Sequence, residues 1–285
     1  MIKFLAWIIV ISAGNSAATT LELSRGARAF ALGGELTAFS PSMEAVYYNP
    51  AHCISAGKFG INVSTFPIGL DVMDNSILLS YSTNRFGGGI GVSYTDYGDF
   101  NGLDEHAREP YTFNASDLIV TAFGGYMISQ SIKMGLSFKF FKEEIEAFRA
   151  TSYSVSAGIA GKIDNKTDYG VVIRNLGTGI KFINESNPLP LTLVLGAVRK
   201  VGYNIFLIGH LKSSRDVPVS LTLGCEYSYN DIAFFRLGFR SDKAGLLSKF
   251  STGLGFIYKG FAIDFGLSGY QNLGLKYVIS FSYSK

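Results

Sequence analysis

The stretch Ile132–Phe140, IKMGLSFKF, decides the fold, because a large apolar residue occupies every second position and a small or charged residue lies between. This period of two is typical of a β-strand with two chemically different faces. One face carries only Ile, Met, Leu and Phe, and the other carries only Lys, Gly and Ser. The same alternation recurs at 219–227, 261–268 and 277–284. The sequence therefore predicts an all-β chain.

The composition indicates that lipid surrounds much of this chain of 285 residues. Charged residues make up only 16% of it, against about 25% in an ordinary soluble domain. The mean hydropathy is +0.23, yet beyond residue 13 no apolar run approaches the ~18 residues that a transmembrane helix needs. A net charge of +3 spread along the chain does not form a basic patch, so we predict no nucleic-acid partner.

The chemistry of the two strand faces favours a transmembrane barrel. In a soluble β-sandwich the outward face carries mainly charged side chains, whereas here the non-apolar face is mostly Gly, Ser and Thr. A small, mildly polar face is typical of a barrel interior whose outer face contacts lipid. Aromatic residues such as Tyr227 and Tyr229 lie near segment ends, as in interfacial girdles. A secreted sandwich is the alternative that periodicity alone leaves open.

Fourteen segments carry the strand pattern. They lie near 57–66, 75–83, 86–96, 116–127, 131–141, 151–162, 168–175, 190–199, 203–212, 218–229, 232–240, 249–258, 261–269 and 274–284. Tight turns alternate with longer connections at, for example, 142–150 and 176–189, and the longest, 97–115, is polar and acidic. Bacterial outer-membrane barrels show this asymmetry between periplasmic turns and external loops. We predict an antiparallel up-and-down barrel of about 14 strands.

The first 18 residues have the features of a secretory signal peptide. A short basic start precedes the apolar stretch Phe4–Ile11, and small residues follow at 15–18. This order predicts cleavage near Ala17 or Ala18 and export to the bacterial outer membrane. An uncleaved anchor helix is the alternative. The predicted organisation is a signal peptide at 1–18, a hatch or plug at 19–56, and a transmembrane β-barrel at 57–285.

The segment 19–56 does not alternate and is predicted to lie in the lumen. A barrel of fourteen strands is too wide for its own side chains to fill, so it needs a plug or leaves a channel. Arg25 and Arg28 are predicted to pair with wall carboxylates such as Glu226 or Asp264, and a frayed periplasmic tail is the alternative. The predicted lumen-facing charged residues, which bind the plug or set selectivity, are Lys133, Lys139, Arg174, Glu226, Arg236 and Asp264.

Two runs in this segment carry a family resemblance. GARAFALGG at 26–34 followed by AVYYNPA at 45–51 resembles the N-terminal signature of PorV/PorQ-like proteins, relatives of the FadL-type outer-membrane barrels. The resemblance implies a fourteen-stranded barrel with an N-terminal hatch. Its motif residues here are Arg25, Gly26, Arg28, Gly33, Gly34, Tyr47, Tyr48, Asn49, Pro50 and Ala51. Two departures are Glu35, where a small residue is usual, and the non-aromatic C-terminus Ser284-Lys285.

The sequence offers no catalytic arrangement with suitable spacing. His52, His106 and His210 lie far apart, and there is no nucleophile elbow or phosphate-binding loop. We predict a protein that is not an enzyme and has no cofactor or metal, with a cation site in the acidic loop 97–115 as the less favoured alternative. Cys53 and Cys225 are expected to be unpaired.

Two functional hypotheses follow from the resemblance. The first is an accessory or docking component of protein export, similar to type IX secretion, whose partners are secretion machinery or exported proteins. The second is a FadL-like channel for hydrophobic small molecules such as long-chain fatty acids. The polar, acidic loop 97–115 favours the first, because the FadL-type uptake that the resemblance implies uses long external loops to gather an apolar ligand. Outer-membrane lipid is a predicted partner in both, and a barrel without transport is a third possibility.

Overall fold

The computed structural model describes residues 19–40, 42–55, 59–69, 71–103, 110–182, 185–215, 217–241, 247–270 and 274–285. The predicted signal peptide at 1–18, with its cleavage site, lies outside the described residues. Within the described ranges, no helix has the length and apolar character needed to cross a membrane.

Fourteen antiparallel strands form one closed barrel, which confirms the predicted fold class and strand number. Strand β1 pairs with the last strand, β16, from Gly60 opposite Ser284 to Thr65 opposite Ile279. The barrel strands are β1 Phe59–Gly69, β2 Val72–Ser82, β3 Phe86–Leu103, β4 Pro110–Ser129, β5 Ile132–Ile145, β6 Phe148–Lys162, β7 Thr167–Gly177, β10 Thr192–Val201, β11 Ile205–Ser214, β12 Val217–Tyr229, β13 Ala233–Arg240, β14 Leu247–Tyr258, β15 Phe261–Tyr270 and β16 Gly274–Ser284. A separate hairpin, β8 Ile180–Phe182 with β9 Glu185–Asn187, lies between β7 and β10 in the chain.

The alternation in the sequence places apolar side chains on the exterior of the barrel and polar side chains on its interior. In β5, Leu136 and Phe138 are 57% and 48% exposed, whereas Ser137 and Lys139 are buried. Exposed apolar side chains in such numbers would be unfavourable in water but suit a lipid-facing surface. The barrel therefore has the exterior of a membrane-spanning protein.

Two predicted loops are wrong, because the strands continue through them. Strand β3 extends to Leu103 and β4 begins at Pro110, so most of 97–115 is paired strand, and residues 104–109 lie outside the described residues. Strand β5 extends to Ile145 and β6 begins at Phe148, which reduces 142–150 to a tight turn. A bulge between Asp96 and Asp99 interrupts the alternation of β3, and Lys142, Glu143 and Glu144 place charges on both faces at the end of β5. The period-two pattern is therefore not continuous at these strand ends.

The segment before the barrel lies inside the lumen, as predicted. It contains a 3-10 helix at Thr19–Glu22, helix α1 at Ala27–Ala31, helix α2 at Ala45–Tyr48 and a 3-10 helix at Pro50–Ser55. We call residues 19–55 the plug. Its start lies where Thr20 contacts Asp117, at the end of the barrel that carries the β5–β6 turn, and we call the opposite end, with the β2–β3 and β4–β5 turns, the tight-turn end. Its last helix packs on β3, β4, β5 and β6 near the tight-turn end. The plug thus runs the length of the lumen.

Candidate functional site

Glycines in the wall bring the plug backbone into direct contact with the strands. A Cβ atom at Gly135 would overlap the backbone of Pro50, and one at Gly158 would overlap the side-chain oxygen of Asn49. Backbone atoms of the plug also lie against Gly87, Gly125, Gly170, Gly238 and Gly266. Because no side chain separates wall from plug at these positions, the plug closes the lumen tightly.

The predicted motif Asn49-Pro50-Ala51 ties two parts of the plug to one strand. The Asn49 amide donates hydrogen bonds to the carbonyl oxygens of Thr37 and Ile159, at 3.0 and 3.1 Å. Its side-chain oxygen accepts from the backbone N–H of Ala51 at 3.1 Å. All the hydrogen-bonding groups of this buried amide are therefore used.

Helix α1 is capped by a carboxylate from a distant part of the plug. Oε1 of Glu44 accepts hydrogen bonds from the backbone N–H groups of Arg28 and Ala29, at 3.0 and 3.2 Å. The Glu44 carboxyl occupies the space where a Cβ atom of residue 26 would lie, and Gly26 has a φ of 94°. Only glycine meets both requirements easily. Burial, followed by the nearby Asp264 carboxylate, raises the pKa of Glu44.

The other motif residues of the plug hold its turns and reach the wall. Gly33 and Gly34 have φ values of 88° and 89° directly after α1, where the chain reverses. The Tyr47 hydroxyl donates to the carbonyl oxygen of Ile77 in β2 at 3.3 Å, and the Tyr48 hydroxyl donates to the carbonyl oxygen of Arg25 at 3.0 Å.

A buried ion network joins α1 to three wall strands. The Arg28 guanidinium donates to both carboxylate oxygens of Glu226, at 2.7 and 2.6 Å. Arg236 donates to Glu226 at 2.7 Å and to Asp264 at 2.6 Å. Two cations thus meet two anions away from water, which is the balance that buried charges require. The network brings together three of the six predicted wall charges.

A second ion pair holds the middle of the plug. Glu35 accepts from the Arg174 guanidinium at 2.8 Å and from the Thr37 hydroxyl at 2.7 Å. Although burial alone raises the pKa of Glu35, Arg174 and other nearby cations hold it below its ordinary value. Glu35, which departs from the family signature, therefore has its own partner in the wall, Arg174.

The structure corrects one predicted pairing. Arg25 contacts neither Glu226 nor Asp264, but lies 3.9 Å from the Asp74 carboxylate in β2. It also donates to the Ser93 hydroxyl and to the carbonyl oxygen of Thr20, both at 2.8 Å. The reason is the direction of the plug, which places Thr20 and Arg25 against β2, β3 and β4 before α1 packs on β13–β16.

The remaining predicted charges lie apart from the ion network. Lys139 is buried and donates to the Asn175 side chain at 3.0 Å. Lys133 is half-buried on the same face of β5, nearer the tight-turn end. A cavity of about 20 Å³ adjoins Lys139 and is lined by Glu22, Arg25, Tyr48, Arg174 and Lys212 among others. It is far smaller than the ~150 Å³ cavity that admits benzene.

Two histidines that the sequence did not single out as site residues hold one plug segment. The His52 ring nitrogen Nε2 donates to the carbonyl oxygen of Thr37 at 2.9 Å. Nε2 of His210 accepts from the backbone N–H of Ala38 at 3.3 Å. Glu44, Asp74 and Asp117 were also missed, because only the folded plug brings them near their partners. Within the described residues Cys53 and Cys225 are free thiols, and no group of three or more His, Cys, Asp and Glu could hold a metal ion.

Comparisons with known proteins identify structures of the same fold. No protein-family model matches the chain, and no curated protein matches it by sequence. The structure of CymD, a monoaromatic hydrocarbon channel, matches with a TM-score of 0.70 and 13% identity over 91% of this chain and 97% of that one. The Pseudomonas putida toluene transporter TodX matches with 0.68 and 12% over 92% and 98%. A Pseudomonas aeruginosa FadL homologue matches with 0.59 and 11% over 95% and 100%.

These matches support one part of the resemblance seen in the sequence and not the other. They support the barrel fold that the resemblance implied, since the similarity covers more than nine-tenths of the chain in each case. They give no support to the narrower likeness to PorV/PorQ-like proteins.

Proposed function

We propose that this protein is an outer-membrane channel for hydrophobic small molecules, made with a leader that is removed on export. The observation that carries the proposal is a closed barrel with a lipid-facing exterior whose lumen is filled by its own N-terminal segment. Structures with this fold include a monoaromatic hydrocarbon channel and a toluene transporter. The proposal extends that chemistry, passage of apolar molecules, to this chain.

Passage requires the plug to rearrange. The wall is paired around its whole circumference, and the cavity of about 20 Å³ beside Lys139 is too small for an aromatic ring. The plug is held by separate polar contacts, namely the Arg28–Glu226 and Glu35–Arg174 pairs and the Asn49 amide. Such contacts can break and re-form one at a time, which would allow the plug to open and close the lumen.

The export hypothesis has lost the sequence argument that favoured it. That argument rested on a long acidic loop at 97–115, and β3 and β4 occupy most of this range. None of the structural matches described above concerns protein secretion. We therefore prefer the channel over an export accessory.

Uptake by whole cells tests the proposal. The protein is expressed in a host that lacks its own channels of this type, and uptake of radiolabelled toluene and of a radiolabelled long-chain fatty acid is measured. We expect faster uptake of at least one compound than in cells with an empty vector. Tyr203→Ala, in an exposed turn, is the matched control and should behave as the parent. Uptake at the empty-vector rate, with folded barrel present in the outer membrane, would refute the channel.

A further inference from the structure

Acidic side chains form a row across four strands at the end of the lumen where the plug begins. Asp74 lies opposite Thr95, Thr95 opposite Asp117, and Asp117 opposite Glu143. Arg25 lies 3.9 Å from Asp74, and no other ion pair to these three carboxylates occurs in the part of the chain that the structure describes. Three carboxylates thus share one cation.

Asp117 is the least compensated member of the row. Its side chain is 2% exposed. Oδ2 accepts from the hydroxyls of Thr20 and Tyr97, at 2.6 and 2.9 Å, whereas Oδ1 is buried and has no partner among the described residues. Like charges that face each other on neighbouring strands are destabilising, and a buried carboxylate without a counterion is costly. The geometry calls for a cationic group at Asp117 and Glu143.

The start of the plug brings such a group to this place. The Thr20 hydroxyl contacts Asp117 directly, and the Cα atom of the preceding residue, Thr19, is about 3.8 Å from that of Thr20. In the precursor the Thr19 nitrogen belongs to an uncharged peptide bond. Hydrolysis of the Ala18–Thr19 bond by a signal peptidase adds one water across it and leaves a carboxylate on the leader and an ammonium group on Thr19.

We propose that the α-ammonium group created by leader removal binds Asp117 and Glu143 and anchors the plug in the mature protein. The inference rests on the leader removal included in the proposed function. The precursor, which lacks this cation, keeps an uncompensated acidic row, so the plug is fully anchored only after processing.

Selective acetylation of the α-amine tests this pairing. The protein is purified from outer membranes, its N-terminus is read from the intact mass, and the folded barrel is treated at pH 7 with an N-hydroxysuccinimide acetate ester. Acetylation of the N-terminal peptide is followed by mass spectrometry. We expect the amine to react at least about tenfold more slowly in the parent than in the Asp117→Asn, Glu143→Gln double variant, because one unit of pKa changes the free-amine fraction tenfold. Asp231→Asn, in an exposed turn, is the control and should react as the parent.

A second measurement covers the case in which the double variant folds poorly. Protein refolded with an extra Met before Thr19 carries its ammonium group one residue away from the acidic row. It should have a lower thermal midpoint than protein that begins at Thr19, and Asp117→Asn should remove that difference. Equal acetylation rates in the folded parent and double variant, or a midpoint difference that survives Asp117→Asn, would overturn the pairing.

The outcomes also separate this inference from the proposed function. An N-terminus at a residue other than Thr19 overturns the inference, while uptake of hydrophobic compounds by the same cells still supports the channel. A protected α-amine in a protein that shows no uptake supports the inference and refutes the channel.

Discussion

Arg28 of the plug and Glu226 of the wall form a bidentate ion pair, with Nε to Oε2 at 2.7 Å and Nη2 to Oε1 at 2.6 Å. The two residues are 198 positions apart in sequence, and both are almost fully buried. A pair with two parallel hydrogen bonds fixes orientation as well as distance. The seating of helix α1 against β12 therefore depends on this contact.

Arg28→Ala should destabilise the folded barrel by about 3 kcal/mol, since removing one partner of a buried pair costs roughly 3–5 kcal/mol and Glu226 keeps its bond to Arg236. The free energy of unfolding is measured by denaturant titration, with gel mobility reporting the folded fraction. Arg199→Ala is the control, because its contact with Asp164 is exposed and exposed ion pairs add little to stability. Equal losses in the two variants would contradict the prediction.

Glu35→Ala should loosen the middle of the plug and raise ion leakage through the lumen. The change leaves the buried Arg174 guanidinium without its carboxylate, whereas Glu35→Gln keeps an oxygen for the hydrogen bond and should have a smaller effect. Conductance is recorded in planar bilayers. Glu144→Ala, which removes a partly exposed pair with Lys142, should match the parent. Parent-like conductance in Glu35→Ala would show that the Glu35–Arg174 pair does not keep the plug closed.

Gly158→Ala should displace Asn49, because the added methyl group overlaps the Asn49 side-chain oxygen. Asn49→Ala alone loses the amide's hydrogen bonds, at about 1 kcal/mol each. In that background Gly158→Ala should cost much less than in the parent, since the clashing oxygen is gone. Thermal midpoints of the two single variants and the double variant measure this coupling. Gly209→Ala, with its nearest neighbouring atom at 3.8 Å, is the control, and additive losses would exclude the predicted contact.

The stability of the barrel should fall in mild acid because of His52. Burial lowers the pKa of His52 from 6.5 to about 4, so the unfolded chain binds more protons than the folded protein between these values. Stability therefore decreases as the pH falls from about 6.5 to about 4. His52→Gln keeps a donor for the carbonyl oxygen of Thr37 but does not titrate. It should flatten the pH dependence of the thermal midpoint in this range, and an unchanged slope would assign the effect to other groups.

The wall could be predicted from the sequence because its signal is local. Alternation along Ile132–Phe140 shows which side chains face lipid, and repeating that pattern along the chain gave the correct number of strands. The fourteen-strand width in turn indicated a lumen that either holds a plug or leaves a channel. The pattern failed at the ends of β3 and β5, because a bulge between Asp96 and Asp99 interrupts the alternation of β3 and charges at 142–144 occupy both faces of β5.

The partners of the buried charges were decided by the tertiary structure. The sequence predicted that Arg25 and Arg28 bind wall carboxylates, but the carboxylate near Arg25 is Asp74 and neither of the two named as examples. It noted Glu35 only as a departure from a signature. Whether Glu35 meets Arg174, or the chain start meets Asp117, depends on strand register and on where the plug crosses the lumen. Period-two alternation fixes which face a residue occupies, since it is set by neighbours along one strand. The pairing of charges 139 or 198 positions apart is set only when the barrel closes around the plug, because closure alone determines which strands lie opposite each plug residue.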